Sequence, residues 1–216
     1  MTLEVDLQEV KALATIVPER VITDLPAVSE GRFPLEVLYS FVSLQGKSGQ
    51  GHVLAFTAAR RQEGVTHVVR QLGRQLAGYC REDVLIVSPR DLRRLRAPDV
   101  ERIEVLGERT APGLWTIPEN LPEPEENGSS HEDLWKTLRA RFRFVLFDCS
   151  ALESSGDVLS LAPRIDGTVL VVRAGSTPKA EIQKAARLLS QGCAPFLGCI
   201  LNERTYPVPG FLYGIL

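Results

Sequence analysis

Five short apolar runs that do not alternate with polar residues constrain this chain more than any other feature. They are Val53-Leu-Ala-Phe-Thr57, Val84-Leu-Ile-Val87, Phe144-Val-Leu-Phe-Asp148, Gly167-Thr-Val-Leu-Val-Val172 and Phe196-Leu-Gly-Cys-Ile-Leu201. A strand that is apolar on both sides has to be covered on both faces. Helical spacing appears between the runs. Val65, Val68, Val69, Leu72 and Leu76 make one apolar stripe, and Ile182, Ala185, Ala186 and Leu189 make another. A further helix is predicted from Glu132 to Arg141. Thr177-Pro178 suits the start of the last helix, with threonine as cap and proline in the first turn. Strands alternating with helices imply an α/β fold, a mostly parallel central sheet flanked by helices.

Ile103-Glu-Val-Leu106 and Leu114-Trp-Thr-Ile117 read as two more strands, and Pro118 to Ser130 as a surface loop. Upstream, Leu35 to Leu44 has helical spacing and Gly46 to Gly51 reads as a turn. The Gly-Lys-Ser inside that turn is not a phosphate loop, because no strand leads into it and no helix follows. Residues 1–32 are weakly periodic and read as an irregular arm, so the domain is expected to occupy 33–216. At 216 residues, 44% hydrophobic and 24% charged, the chain can build one good core.

The charge balance excludes a bulk electrostatic role. With 27 acidic and 25 basic residues the net charge is −2, which gives no drive toward nucleic acid or anionic membrane. Two local arginine clusters, Arg90 to Arg96 and Arg139 to Arg143, read as solvated helix faces. The four cysteines form no CxxC pair and no zinc set, and Cys149 and Cys199 read as small core residues. No apolar run approaches 18 residues and no signal peptide is evident, so the expected setting is cytoplasmic and reducing, without a direct membrane span.

Ligands of such sheets bind beyond the carboxyl ends of the strands. Thr57 to His67 has the strand–loop–helix placement of a phosphate loop. A working loop reads GxxxxGK[ST]: glycines let amides wrap the phosphates, lysine neutralises the β/γ charge, and the hydroxyl holds magnesium. Here Ala59 replaces the first glycine, Gly64 is the second, Val65 takes the lysine position and Thr66 keeps the hydroxyl. By itself the segment is a weak match and reads as an ordinary strand–loop–helix connection. Asp148, at the end of a buried strand, is placed either to orient magnesium or to cap the next turn.

Taken in order, these segments resemble the bacterial tyrosine kinases of capsule and exopolysaccharide systems, within the MinD- and ParA-like P-loop ATPases. The resemblance runs from about Pro34 to the C-terminus. Asp157 to Gly175, and Leu197 to Tyr213 with its Leu-Asn pair and Tyr-Pro-x-Pro-x-Phe-Leu-Tyr, carry it most specifically. It implies a three-layer P-loop NTPase fold, Rossmann-like, with Asn202 near an adenine. Gly64, Thr66 and Arg61 would then face the phosphates, and Thr66 and Asp148 would hold magnesium if nucleotide binds.

The departures point to impaired chemistry. Arg61-Gln62 stand for the family's Pro-Gly, Val65 for its lysine, and Ser88 for the first aspartate of its second acidic motif, although Asp91-Leu-Arg-Arg94 echoes the rest. Glu36, Tyr39 and Val42 replace an oligomerisation Glu-x-x-Arg-x-x-Arg, so the homo-oligomeric ring is not expected. The family's tyrosine-rich tail has no counterpart, since the chain stops at Leu216 soon after Tyr206 and Tyr213. Losing a buried charge partner such as the lysine costs roughly 2–5 kcal/mol, a weakening of roughly 30- to 4,000-fold. The resemblance therefore implies a pseudo-enzyme for which no cofactor is expected and ATP or ADP with magnesium binds weakly. Its expected partner is the cytoplasmic part of a membrane polysaccharide chain-length regulator or another protein of the exopolysaccharide machinery, which would hold it peripherally at the inner membrane. The alternative is a residual ATP-binding tyrosine kinase or ATPase with displaced catalytic groups.

Overall fold

The computed structural model describes residues 50–118 and 131–202. The expected arm at 1–32, the helix at 35–44, most of the turn at 46–51, nearly all of the loop at 118–130 and the motif around Tyr206 to Tyr213 lie outside them.

Among the described residues the chain runs β1 (His52–Ala58), α1 (Val65–Cys80), β2 (Val84–Val87), α2 (Pro89–Arg94), α3 (Ala97–Glu101), α4 (Ile103–Leu106), β3 (Glu108–Ala111) and β4 (Leu114–Thr116). It continues through α5 (His131–Arg141), β5 (Phe144–Asp148), α6 (Asp157–Leu161), β6 (Gly167–Arg173), α7 (Lys179–Gln191) and β7 (Phe196–Asn202). The seven strands form one sheet in the order β3-β4-β2-β5-β1-β6-β7. Only the β3–β4 pair is antiparallel. β1 lies between β5 and β6, with Leu54 opposite Leu146 on one side and Gly167 on the other.

Alternate residues of each central strand feed two cores. Leu54, Phe56, Leu146 and Val169 pack with Val68, Val69, Leu72 and Leu76 of α1. Val53, Ala55, Val145 and Leu170 pack on the other face with α5 and α7. This is the three-layer α/β arrangement of P-loop NTPases, and it accounts for the unalternating runs. No helix among the described residues is long and apolar enough to cross a membrane.

Three expectations need correction. Ile103 to Leu106 is a short helix, not a strand: only Ile103 is buried, and Val105 is 81% exposed. Four residues are too few for periodicity to separate the two states. Cys199 is exposed rather than packed in the core, because β7 is the outermost strand among the described residues and is only partly covered, although the surrounding chain still desolvates its thiol and raises it. Cys149 is buried as expected, and desolvation, with a smaller contribution from Asp148, pushes its thiol far up. The Arg139–Arg143 cluster is not simply a solvated face. Arg139 makes a two-pronged bond to Asp166, and Arg141 bridges Asp83 and Glu104.

Candidate functional site

β1 ends at the carboxyl edge of the sheet, and the six residues from Ala59 to Gly64 turn the chain into α1. Gly64 is the N-cap of α1 in the left-handed region, with φ 85°. A β carbon there would collide with the Asn202 side chain, so the position demands glycine on two counts. Gln62, where the resembling family has glycine, also keeps a left-handed φ of 63°. The loop thus keeps a left-handed turn at 62 although that residue is not glycine.

Glu63 holds this loop together. It is only 3% exposed, yet its carboxylate is well matched. Oε2 accepts the Ala59 amide at 3.0 Å and the Arg60 amide at 3.2 Å, and Oε1 accepts the Thr177 hydroxyl. Its backbone carbonyl accepts Nδ2 of Asn202 at 3.0 Å. A buried carboxylate is tolerated where hydrogen bonds replace its water. The loop is thus tied to the ends of both β6 and β7.

A cavity of about 560 Å³ opens in front of the loop, lined among others by Arg61, Gly64, Val65, Thr66 and Asp148. Thr66 and Asp148 both line it, and the threonine hydroxyl lies near enough to favour the Asp148 carboxylate. Burial raises the Asp148 carboxyl above the ordinary range, opposed by that hydroxyl and by the charge of Arg70. The pair offers two neighbouring oxygens of the kind magnesium takes. The phosphate charge is less well served. Val65 packs against the apolar cluster beneath α1, and the cations lining the cavity are Arg60 and Arg61. The residues present thus fit the metal side of a magnesium nucleotide, and lack the fixed ammonium for its β/γ phosphates.

Four of the five residues singled out from the sequence therefore meet at one cavity. Asn202 does not line it and braces the loop through Glu63 instead. Arg61 is held by the next loop: its amide donates to Glu153 at 2.6 Å and its Nε to Ser154 at 2.7 Å. Ser88 stands outside the cavity lining and caps α2, its Oγ accepting the Asp91 amide at 3.1 Å. Thr177 is not the cap of α7, which is Pro178; its hydroxyl serves Glu63. The roles of Glu63, Glu153 and Thr177 escaped the sequence reading, because they rest on partners up to 139 residues away.

No protein-family model matches the chain. It is 32% identical over 71 residues to the tyrosine-protein kinase CpsD of Streptococcus pneumoniae serotype 4, covering 33% of this chain and 31% of the relative. It is 21% identical over 181 residues to the tyrosine-protein kinase CpsD of Streptococcus agalactiae, covering 74% of this chain and 79% of that one. The chain thus matches about a third of the first relative's length. Among solved structures it resembles the kinase domain of the Escherichia coli tyrosine kinase ETK, with TM-score 0.59, 18% identity, and coverage of 87% of this chain and 82% of that one. It also resembles the septum site-determining protein MinD complexed with Mg-ADP from Pyrococcus horikoshii, with TM-score 0.51, 18% identity and 75% of each chain covered.

Proposed function

We propose that this chain, which belongs with the bacterial tyrosine kinases of capsule and exopolysaccharide systems, is a catalytically impaired member acting as a regulatory or scaffold subunit. One observation carries the reading. The first helical residue after the loop, where phosphoryl transfer wants a lysine, is Val65, and its side chain is packed on the core under α1. The loop is also shaped internally by Glu63, so it needs no nucleotide to hold its form. Its function is then to present a kinase-like surface to a protein. The cytoplasmic part of a membrane polysaccharide chain-length regulator is the partner that the kinship suggests, and with it the chain would work in the cytoplasm, peripheral to the inner membrane.

Calorimetric titration with ATP and ADP, with and without magnesium, tests this. No heat of binding at millimolar nucleotide is the expected result. Micromolar, magnesium-dependent binding overturns it. The Thr66–Asp148 pair favours a second reading, a residual nucleotide-binding enzyme. Magnesium-dependent ATP turnover abolished by Asp148→Asn would establish that reading.

A further inference from the structure

β6 and β7 carry similar apolar runs and are buried very differently. Six of the seven residues of β6 are buried, and none of the seven of β7 is. The register isolates where the cover stops. Cys199 stands beside Leu170, and Leu201 beside Val172. Paired neighbours project to the same face of a sheet, so all four belong to the face that α7 packs on. Leu170 and Val172 are 0% and 2% exposed and share a core with Ala185 and Leu189 of α7. One strand further out, Cys199 is exposed and Leu201 is 51% exposed. Phe196, which packs on the same core, is only partly buried. The described helices therefore leave Phe196, Cys199 and Leu201 as an uncovered apolar strip along β7.

We propose that this strip is the docking surface for the chain's own residues 211–216, which lie outside the described structure. Asn202 ends β7 and leads straight into Glu203, so the segment is held near the strip by a short connection, which raises its effective concentration there. Phe211-Leu-Tyr-Gly-Ile-Leu216 is apolar or aromatic at every position but Gly214, and no charged residue occurs from Thr205 to Leu216. Such a run gains by leaving water, and the strip offers apolar surface to receive it. The connection contains Pro207, Pro209 and Gly210, residues that favour a reversal of the chain. Residues 211–216 also match Phe196–Leu201 in length, each roughly 20 Å when extended. Because the segment begins beside Asn202, seating it also steadies the end of β7 from which Asn202 braces Glu63. The inference does not rest on the impaired-kinase reading, since neither Val65 nor the nucleotide cavity enters it.

Thermal melting of the full chain tests it. On an open surface Leu201→Ser is close to neutral. Beneath a seated segment it should lower the melting temperature by roughly 4 °C or more, through lost apolar burial. Phe211→Ser/Leu212→Ser should do the same, and all three substitutions together should cost clearly less than the sum, because each removes the same contact. A second readout needs no change on the strip. In Phe211→Ser/Leu212→Ser, iodoacetamide should alkylate Cys199 roughly tenfold faster than in the unaltered chain, while the buried Cys149 keeps its rate. A neutral Leu201→Ser, additive losses, an unchanged Cys199 rate, or a rise at Cys149 as large as at Cys199 overturns the proposal. Non-additivity of Leu201→Ser with Phe41→Ser instead of the 211–212 pair also overturns it, and makes the upstream segment the cover. A melting temperature that climbs with protein concentration does so too, and makes the cover a second copy.

Discussion

Asn202, the last residue of β7, donates its side-chain amide to the Glu63 carbonyl at 3.0 Å and fills the space a β carbon on Gly64 would need. The edge strand thereby fixes the turn that opens α1. Gly64→Ala should lose about 1–3 kcal/mol of stability, from a left-handed φ and from the collision. Urea denaturation of Gly64→Ala and of Gly64→Ala/Asn202→Ala separates the two terms. The double variant should recover the collision and keep the backbone strain, and equal midpoints for both would refute the contact.

Restoring the missing cation is the direct test of the impaired loop. Val65→Lys should tighten magnesium–ADP by roughly 30-fold or more, the low end of what a buried charge partner contributes. It should also cost about 1 kcal/mol of stability, since Val65 packs on the α1 cluster. A variant that folds and shows no gain would place the defect elsewhere in the loop.

Asp148 makes stability depend on pH with a defined sign. Its carboxyl is raised in the folded protein, chiefly by desolvation. The folded state therefore holds its proton more tightly than the unfolded chain. The stabilisation this gives is fully present below 3.8 and is lost as pH rises through the folded value. Asp148→Asn, which keeps a partner for Thr66 and cannot ionise, should melt higher than the parent at pH 7, with the gap closing toward acid. A gap that widens toward acid contradicts the assigned burial.

The Arg139–Asp166 pair clamps the amino ends of the central strands. Asp166 receives Arg139 at 2.7 and 2.9 Å and the Val53 amide at 2.7 Å, and Arg139 also donates to the carbonyls of Gly51 and Arg164. Both side chains are 23% exposed, so solvent screens them in part. Arg139→Ala should cost about 2–3 kcal/mol in chemical denaturation. A loss below about 0.5 kcal/mol would mark the pair as surface-like.

Ser88 caps α2 where the resembling family has an aspartate. Ser88→Ala should cost about 1 kcal/mol, while Ser88→Thr, which still caps and still donates to the Asp91 carboxylate, should stay near the parent. Equal losses in both would argue against capping as its role.

The sequence by itself determined the layers of this protein. β1, β5 and β6 announced themselves as buried because the apolar demand of both faces is written into consecutive residues, and α1 and α7 because 3.6-residue spacing is local. The strand–loop–helix at Ala59–Thr66 and the acid Asp148 were legible for the same reason. The strand order, the edge position that exposes Cys199, and the helical state of Ile103–Leu106 were decided by tertiary packing, which short local patterns do not encode. So was the character of the site. Nothing local distinguishes Glu63 from any loop glutamate; it becomes the keystone only when the fold brings Thr177 and Asn202 to it from 114 and 139 residues away. A charge can be buried only where such partners converge, and convergence is a property of the folded chain.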